Sequence, residues 1–115
     1  MNKGIFVYNK VNAYVLPTED IIYLTLEREH TTFYMSDGKR YLSERPMTAQ
    51  RKRMLGDDFM DAGPDSIVNV KYIKRVDYMK CVLDLNNNTS LPICEQNLTK
   101  IVSQLKTHYA FTLEM

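Results

Sequence analysis

The sequence predicts a mainly β domain of small antiparallel sheets with one or two short helices, and three observations carry that expectation. Short β-rich runs separated by tight turn signals recur along the chain. Only two stretches show helical spacing. Strands and helices do not alternate in the βαβ rhythm of a nucleotide-binding α/β fold. At 115 residues the chain holds one domain, residues 1–115, with a modest core.

The elements follow in order. Gly4 to Asn9 and Val11 to Leu16 are β-rich runs, the second closed by Pro17. Asp20 to Leu26 alternates, which places Ile22, Leu24 and Leu26 on one side. Thr31 to Met35 alternates again, and Ser36-Asp37-Gly38-Lys39 is the best hairpin signal in the chain, because Asp-Gly tolerates the positive φ angles of a type I′ turn. Lys39 to Ser43 returns as the partner strand.

A first helix is expected to begin at Ser43-Glu44-Arg45-Pro46, with Pro46 in the first turn. Met47, Met54 and Leu55 form its thin apolar stripe, and Gly56 ends it. Strands at Ser66–Val70, Tyr72–Met79, Cys81–Leu85 and Ser90–Ile93 come next. Asn97 to Tyr109 places Leu98, Ile101, Val102 and Leu105 at helical spacing for a second helix.

Composition narrows the functional classes. An apolar share of 44% and a charged share of 25% are ordinary for a soluble domain. No apolar run approaches the roughly 20 residues of a spanning helix. The N-terminus lacks the apolar core and cleavage site of a signal peptide, so a cytoplasmic location is expected and the Asn87 and Asn97 sequons are chance matches. A net charge of +1 is low for a free-standing nucleic-acid binder, although clustering on one face matters more than the sum.

Cys81 and Cys94 flank a turn at Asn86-Asn87-Asn88. A two-residue loop would set them opposite each other. A three-residue loop pairs Leu83 with Leu91 and Cys81 with Ile93, sorts the apolar side chains better, and leaves two thiols.

Phe59, Ile67-Val68-Asn69 and Tyr72-Ile73 stand at the intervals of the LytTR family, bacterial DNA-binding domains of transcriptional regulators, and the chain resembles that family from about Asp20 to about Gln104. Asp20-Ile21-Ile22-Tyr23-Leu24, Thr31-Thr32-Phe33-Tyr34 with Asp37-Gly38-Lys39, and Leu85 through the Asn turn to Leu91-Pro92-Ile93 complete the ordered series. The resemblance implies an elongated domain whose loops enter successive major grooves at direct repeats of promoter DNA. It departs at the family's His-Arg-Ser triplet, where this chain holds Gly63-Pro64-Asp65.

Carried over position by position, the resemblance offers Arg28, His30 and Thr31 at the start of a strand and Gln96 and Asn97 after the Leu91-Pro92-Ile93 strand, with Lys71 and Lys100 as backbone contacts. Gln and Asn can read an adenine edge bidentately, whereas Asp65 and Glu95 would repel phosphates. His30 has an equally ordinary reading as an exposed strand-end histidine beside Glu27 and Glu29. The Arg51-Lys52-Arg53 cluster reads first as a solvated helix face. Asn69 is expected to tie backbone at a strand end rather than touch a base.

Other chemistries have little footing. With two histidines and no Cys-x-x-Cys, no metal site or cofactor is expected, and Asp57, Asp58, Asp61 and Asp65 lack calcium-loop spacing. No nucleophile elbow or Gly-rich phosphate cradle appears, so no enzyme is expected. The eight tyrosines read as half-buried packing more readily than as a stacking platform for single strands. The expected function is sequence-specific binding of double-stranded DNA by a stand-alone regulator, controlled through abundance, homodimerisation or a partner regulatory protein. The alternative, motivated by Asp65 and Glu95, is a protein-interaction module on the same fold that binds DNA weakly or not at all.

Overall fold

A computed structural model of the chain describes residues 4–109. The elements run β1 (Gly4–Tyr8), β2 (Ala13–Pro17), β3 (Ile21–Leu26), β4 (Thr31–Met35), β5 (Arg40–Ser43), α1 (Ala49–Met54), β6 (Phe59–Asp61), β7 (Ser66–Asn69), β8 (Ile73–Asp77), β9 (Val82–Leu85), β10 (Ser90–Pro92) and α2 (Glu95–His108). Short 3₁₀ turns at Thr18–Asp20 and Val70–Tyr72 lead into β3 and β8. All strand pairing is antiparallel. The sheets are the β1-β2 hairpin, a central five-stranded sheet in the order β5-β4-β3-β7-β6, and a three-stranded sheet in the order β10-β9-β8. The molecule measures 53 × 27 × 26 Å, so the expected mainly β, elongated architecture of small antiparallel sheets is the one the chain adopts.

The core sits on both faces of the central sheet. On one, Ile21, Leu24, Phe33 and Ile67 meet Val7 and Leu16 of the hairpin and Leu55 beyond α1. On the other, Ile22, Tyr23 and Val68 meet Leu83, Leu85 and Leu91 of the small sheet and Ile101 of α2. Ile21, Leu24, Ile67, Val68, Leu83 and Ile101 are fully buried, each contributing about 1.5–3 kcal/mol. β3 lies at the centre of this arrangement and is apolar on both sides. An irregularity between Ile21 and Tyr23 shifts its register against β4, and this overturns the expected one-sided alternation: Ile22 faces the small sheet while Leu24 faces the hairpin.

Two hairpin turns share one geometry. Met35 N–H bonds Lys39 C=O at 2.9 Å and Gly38 N–H bonds Met35 C=O at 3.1 Å; Leu85 N–H bonds Thr89 C=O at 2.8 Å and Asn88 N–H bonds Leu85 C=O at 3.1 Å. Positive φ falls on Gly38 (87°) and Asn88 (66°) alone in these turns. Each is thus a three-residue loop with a bulge residue in the left-handed region, not the type I′ turn expected at Asp37-Gly38. The Asn loop sets Leu83 opposite Leu91, as the better-sorted register required, and Cys81 and Cys94 are free thiols.

Both helices start elsewhere than the sequence suggested. Thr48 caps α1 by accepting from Arg51 N–H at 3.2 Å, so the helix begins at Ala49 and Pro46 lies in the extended approach to it. α2 begins at Glu95, two residues before the expected Asn97, following Cys94 in extended conformation with no side-chain cap.

Candidate nucleic-acid interface

Four loops end on the same rim of the molecule because main-chain hydrogen bonds stitch them together. Leu26 N–H, at the end of β3, bonds Asp65 C=O at 2.8 Å; Ala62 N–H bonds Ser66 C=O at 3.0 Å; Cys94 N–H bonds Ala62 C=O at 2.8 Å; Ile93 N–H bonds Cys81 C=O at 3.0 Å. The chain of contacts therefore passes from the β3–β4 loop (27–30) to the β6–β7 loop (62–65), then to the amino end of α2, then to the β8–β9 tip (78–81).

The β6–β7 loop is drawn tight. Ser66 Oγ accepts from Gly63 N–H at 2.9 Å, and a Cβ on Gly63 would stand 3.2 Å from that Oγ and 3.4 Å from Pro92 C=O. Gly63 is there because the loop passes close to the small sheet, which leaves Pro64 and Asp65 as its exposed crest.

The residues singled out from the sequence distribute unequally. Arg28 is exposed and His30 half-buried on the β3–β4 loop, whose ends close through a 2.9 Å bond from Glu27 N–H to His30 C=O. Gln96 and Lys100 are exposed on α2 and lie one turn apart on the same face. Thr31 is 1% exposed, and its Oγ1 donates inward to Arg45 C=O at 3.0 Å. Asn97 is half-buried, and its Nδ2 donates to Ala62 C=O at 3.0 Å, the same carbonyl that receives Cys94 N–H. Lys71 lies at the opposite rim, beyond the far end of β7, where it pairs with Asp58 at 3.2 Å. The structure thus places Arg28 and His30 on one rim loop and Gln96 at the amino end of α2 on the same rim, sets Lys100 one turn further along α2, uses Thr31 and Asn97 as ties, and separates Lys71 from the rest.

The rim carries both signs of charge. Glu27, Glu29, Asp65 and Glu95 are exposed alongside Arg28, Lys80 and Lys100. Elsewhere, several cations are already engaged: Lys52 pairs with Asp61 at 2.6 Å, Arg51 donates to Pro46 C=O at 2.8 Å, and the Arg45 guanidinium lies 5.1 Å from the centre of the Tyr8 ring. Within the α1 cluster Arg51 and Lys52 are thus engaged locally, and Arg53 is exposed. Asp58 and Asp61 likewise act as ion-pair partners.

Among the described residues two groups are held away from their usual protonation range, and neither sits on the rim. Burial holds the Tyr23 hydroxyl above its ordinary value, with Tyr34 stacked on it at 4.3 Å between ring centres. The Ser90 hydroxyl and then the Arg75 guanidinium hold the Asp84 carboxylate below its ordinary value. Among the described residues no group of three or more His, Cys, Asp or Glu side chains is placed to hold a metal ion, and no helix is long and apolar enough to cross a membrane.

The β8–β9 tip was not selected from the sequence. Tyr78 is 62% and Met79 is 94% exposed, with Lys80 exposed beside them. The local signal was Asp77, whose Oδ1 accepts from both Met79 N–H and Lys80 N–H at 3.0 Å and shapes the tip.

Comparison with known proteins bears on the family and the fold. The family model of the LytTr DNA-binding domain matches residues 12–106. A solved structure from Bacillus cereus, described as the LytTr DNA-binding domain of a methyl-accepting/DNA response regulator, aligns with a TM-score of 0.67 at 17% identity, over 96% of this chain and 100% of that one. At that identity the likeness speaks for the fold. No curated protein sequence matches the chain.

Proposed function

Because the chain belongs to the LytTr DNA-binding domain family, we propose that it reads duplex DNA sequence-specifically through the stitched rim, as one domain over residues 1–115 of a transcription regulator. The observation that supports this reading is that main-chain bonds fix the β3–β4 loop, which carries Arg28 and His30, and the amino end of α2, which carries Gln96, along one rim. Rigid positioning of that kind is what base-edge recognition demands.

In this reading the β3–β4 loop and the amino end of α2 enter successive major grooves. The 53 Å length of the domain exceeds the roughly 34 Å helical repeat of B-DNA. Gln96 reads an adenine edge, His30 and Arg28 serve the other groove, and Lys100 meets a phosphate. The amino end of α2, left without a side-chain cap by Cys94, presents backbone N–H groups suited to a phosphate oxygen. Thr31 and Asn97 hold the loops in place, and Lys71 lies outside the contact set. Direct repeats in promoter DNA are the expected target, the cytoplasm the expected location, and a second copy or a regulatory protein the expected further partner.

Titration of DNA from upstream of the protein's own gene at several salt concentrations tests the reading. Affinity should fall steeply as salt rises, and His30→Ala with Gln96→Ala should flatten the sequence preference. Absence of binding at low salt would overturn it. That outcome favours the second reading, a protein-interaction module, for which the specific support is the four carboxylates Glu27, Glu29, Asp65 and Glu95 on the same rim.

A further inference from the structure

We infer that the β8–β9 tip is a further DNA-contact element of this rim, one that grips the sugar–phosphate backbone rather than the base edges: Lys80 meets a phosphate while Tyr78 and Met79 lie against deoxyribose. The inference rests on the DNA-binding reading above and extends its footprint past α2.

Position is the first support. The tip joins the rim through the 3.0 Å bond from Ile93 N–H to Cys81 C=O, immediately before Cys94 and the amino end of α2. A duplex seated on Gln96 would have its next stretch of backbone within reach of residues 78–80.

Rigidity is the second. Asp77 Oδ1 takes two main-chain N–H groups, from Met79 and Lys80, and Cys81 adopts φ 54°, a conformation that glycine would enter at less cost. The Cys81 thiol points back at Tyr78 C=O, 3.7 Å away. A tip fixed in this way loses little entropy when it docks.

Chemistry is the third. Two large apolar side chains stand 62% and 94% exposed at the tip. Followed directly by a cation, they match the apolar sugar face and charged phosphate of a nucleic-acid backbone. Both partners of such a contact are independent of sequence, so the tip adds affinity and footprint length without adding specificity.

The experiment compares the salt dependence of DNA binding for the wild-type chain, Lys80→Ala and a control, Lys39→Ala, which lies in the β4–β5 turn beyond Met35 at the end of β4 away from the rim. Lys80→Ala should weaken binding about fivefold on every sequence and lower the log–log salt slope by about 1, with Lys39→Ala unchanged. Tyr78→Ser with Met79→Ser should weaken binding further and shorten the backbone-protection footprint at one end. Equal effects of Lys80→Ala and Lys39→Ala, or no effect of Lys80→Ala on a wild-type chain that binds, would overturn the tip's role and leave the rim reading intact. A wild-type chain that fails to bind at low salt overturns both. Lys80 is exposed, so an unchanged thermal midpoint checks that each variant is folded.

Discussion

Asn69 locks the end of β7 to Ile21 of the neighbouring strand: its Nδ2 donates to Ile21 C=O at 3.0 Å, and its Oδ1 accepts from Lys71 N–H at 3.1 Å. Asn69 is 1% exposed; its bond to Ile21 is made out of water and its bond from Lys71 is part-buried. It satisfies the carbonyl beside the β3 irregularity and caps the 3₁₀ turn that launches β8.

Asn69→Ala should therefore cost about 2–4 kcal/mol, the loss of one buried and one part-buried bond plus an orphaned carbonyl. Urea denaturation followed by circular dichroism would show it as a lower midpoint with an unchanged slope. A loss below about 1 kcal/mol would mean that the strand end relaxes to find other partners.

Thr31→Val keeps the shape of the side chain and removes the hydroxyl that donates to Arg45 C=O. The expected loss is about 1 kcal/mol of stability, with the preferred DNA sequence unaltered. A changed preference in a selection from random duplexes would instead place Thr31 against a base.

Asp65→Asn and Glu95→Gln each remove a negative charge from the rim while preserving shape. Affinity for duplex DNA should rise several-fold at low salt, and the gain should shrink as the Debye length falls to about 8 Å near physiological ionic strength. If the rim binds an acceptor protein rather than DNA, neither substitution will raise DNA affinity.

The Asp84 carboxylate accepts from Ser90 Oγ at 2.7 Å and from the Arg75 Nε at 2.6 Å, which lowers its pKa from the ordinary 3.8. A lowered folded-state value means that its contribution is complete above the ordinary carboxylate value and disappears as pH falls through the folded one. Thermal midpoints measured from about pH 5 downwards should fall less steeply for Asp84→Asn than for wild type.

Much of the fold was legible because burial is periodic. Alternation in Thr31–Met35 and helical spacing at Leu98, Ile101 and Leu105 gave the elements, and apolar sorting gave the Leu83–Leu91 register. The misses were local events decided by one atom or one turn: the Thr48 cap that delays α1, the bulge that splits Ile22 from Leu24, and the single positive φ at Gly38. β6 was too short, at three residues, to show any alternation. For the rim, family-like spacing located the loops but not the direction of their side chains. Only folded geometry reveals that Thr31 and Asn97 turn inward, that Lys71 belongs to the far rim and that the Tyr78–Lys80 tip joins the near one.

The carbonyl of Ala62, which receives both Cys94 N–H and the Asn97 amide, separates two kinds of sequence change. The mounting of α2 on the central sheet uses a peptide oxygen that every residue type supplies, so substitutions at the loop crests leave the spacing of the rim intact. Pro64, Asp65 and Gln96 are exposed and stand outside that mounting, so their side chains can be exchanged without touching the bonds that hold α2. Shape and surface chemistry are therefore carried by different atoms of the same short segment.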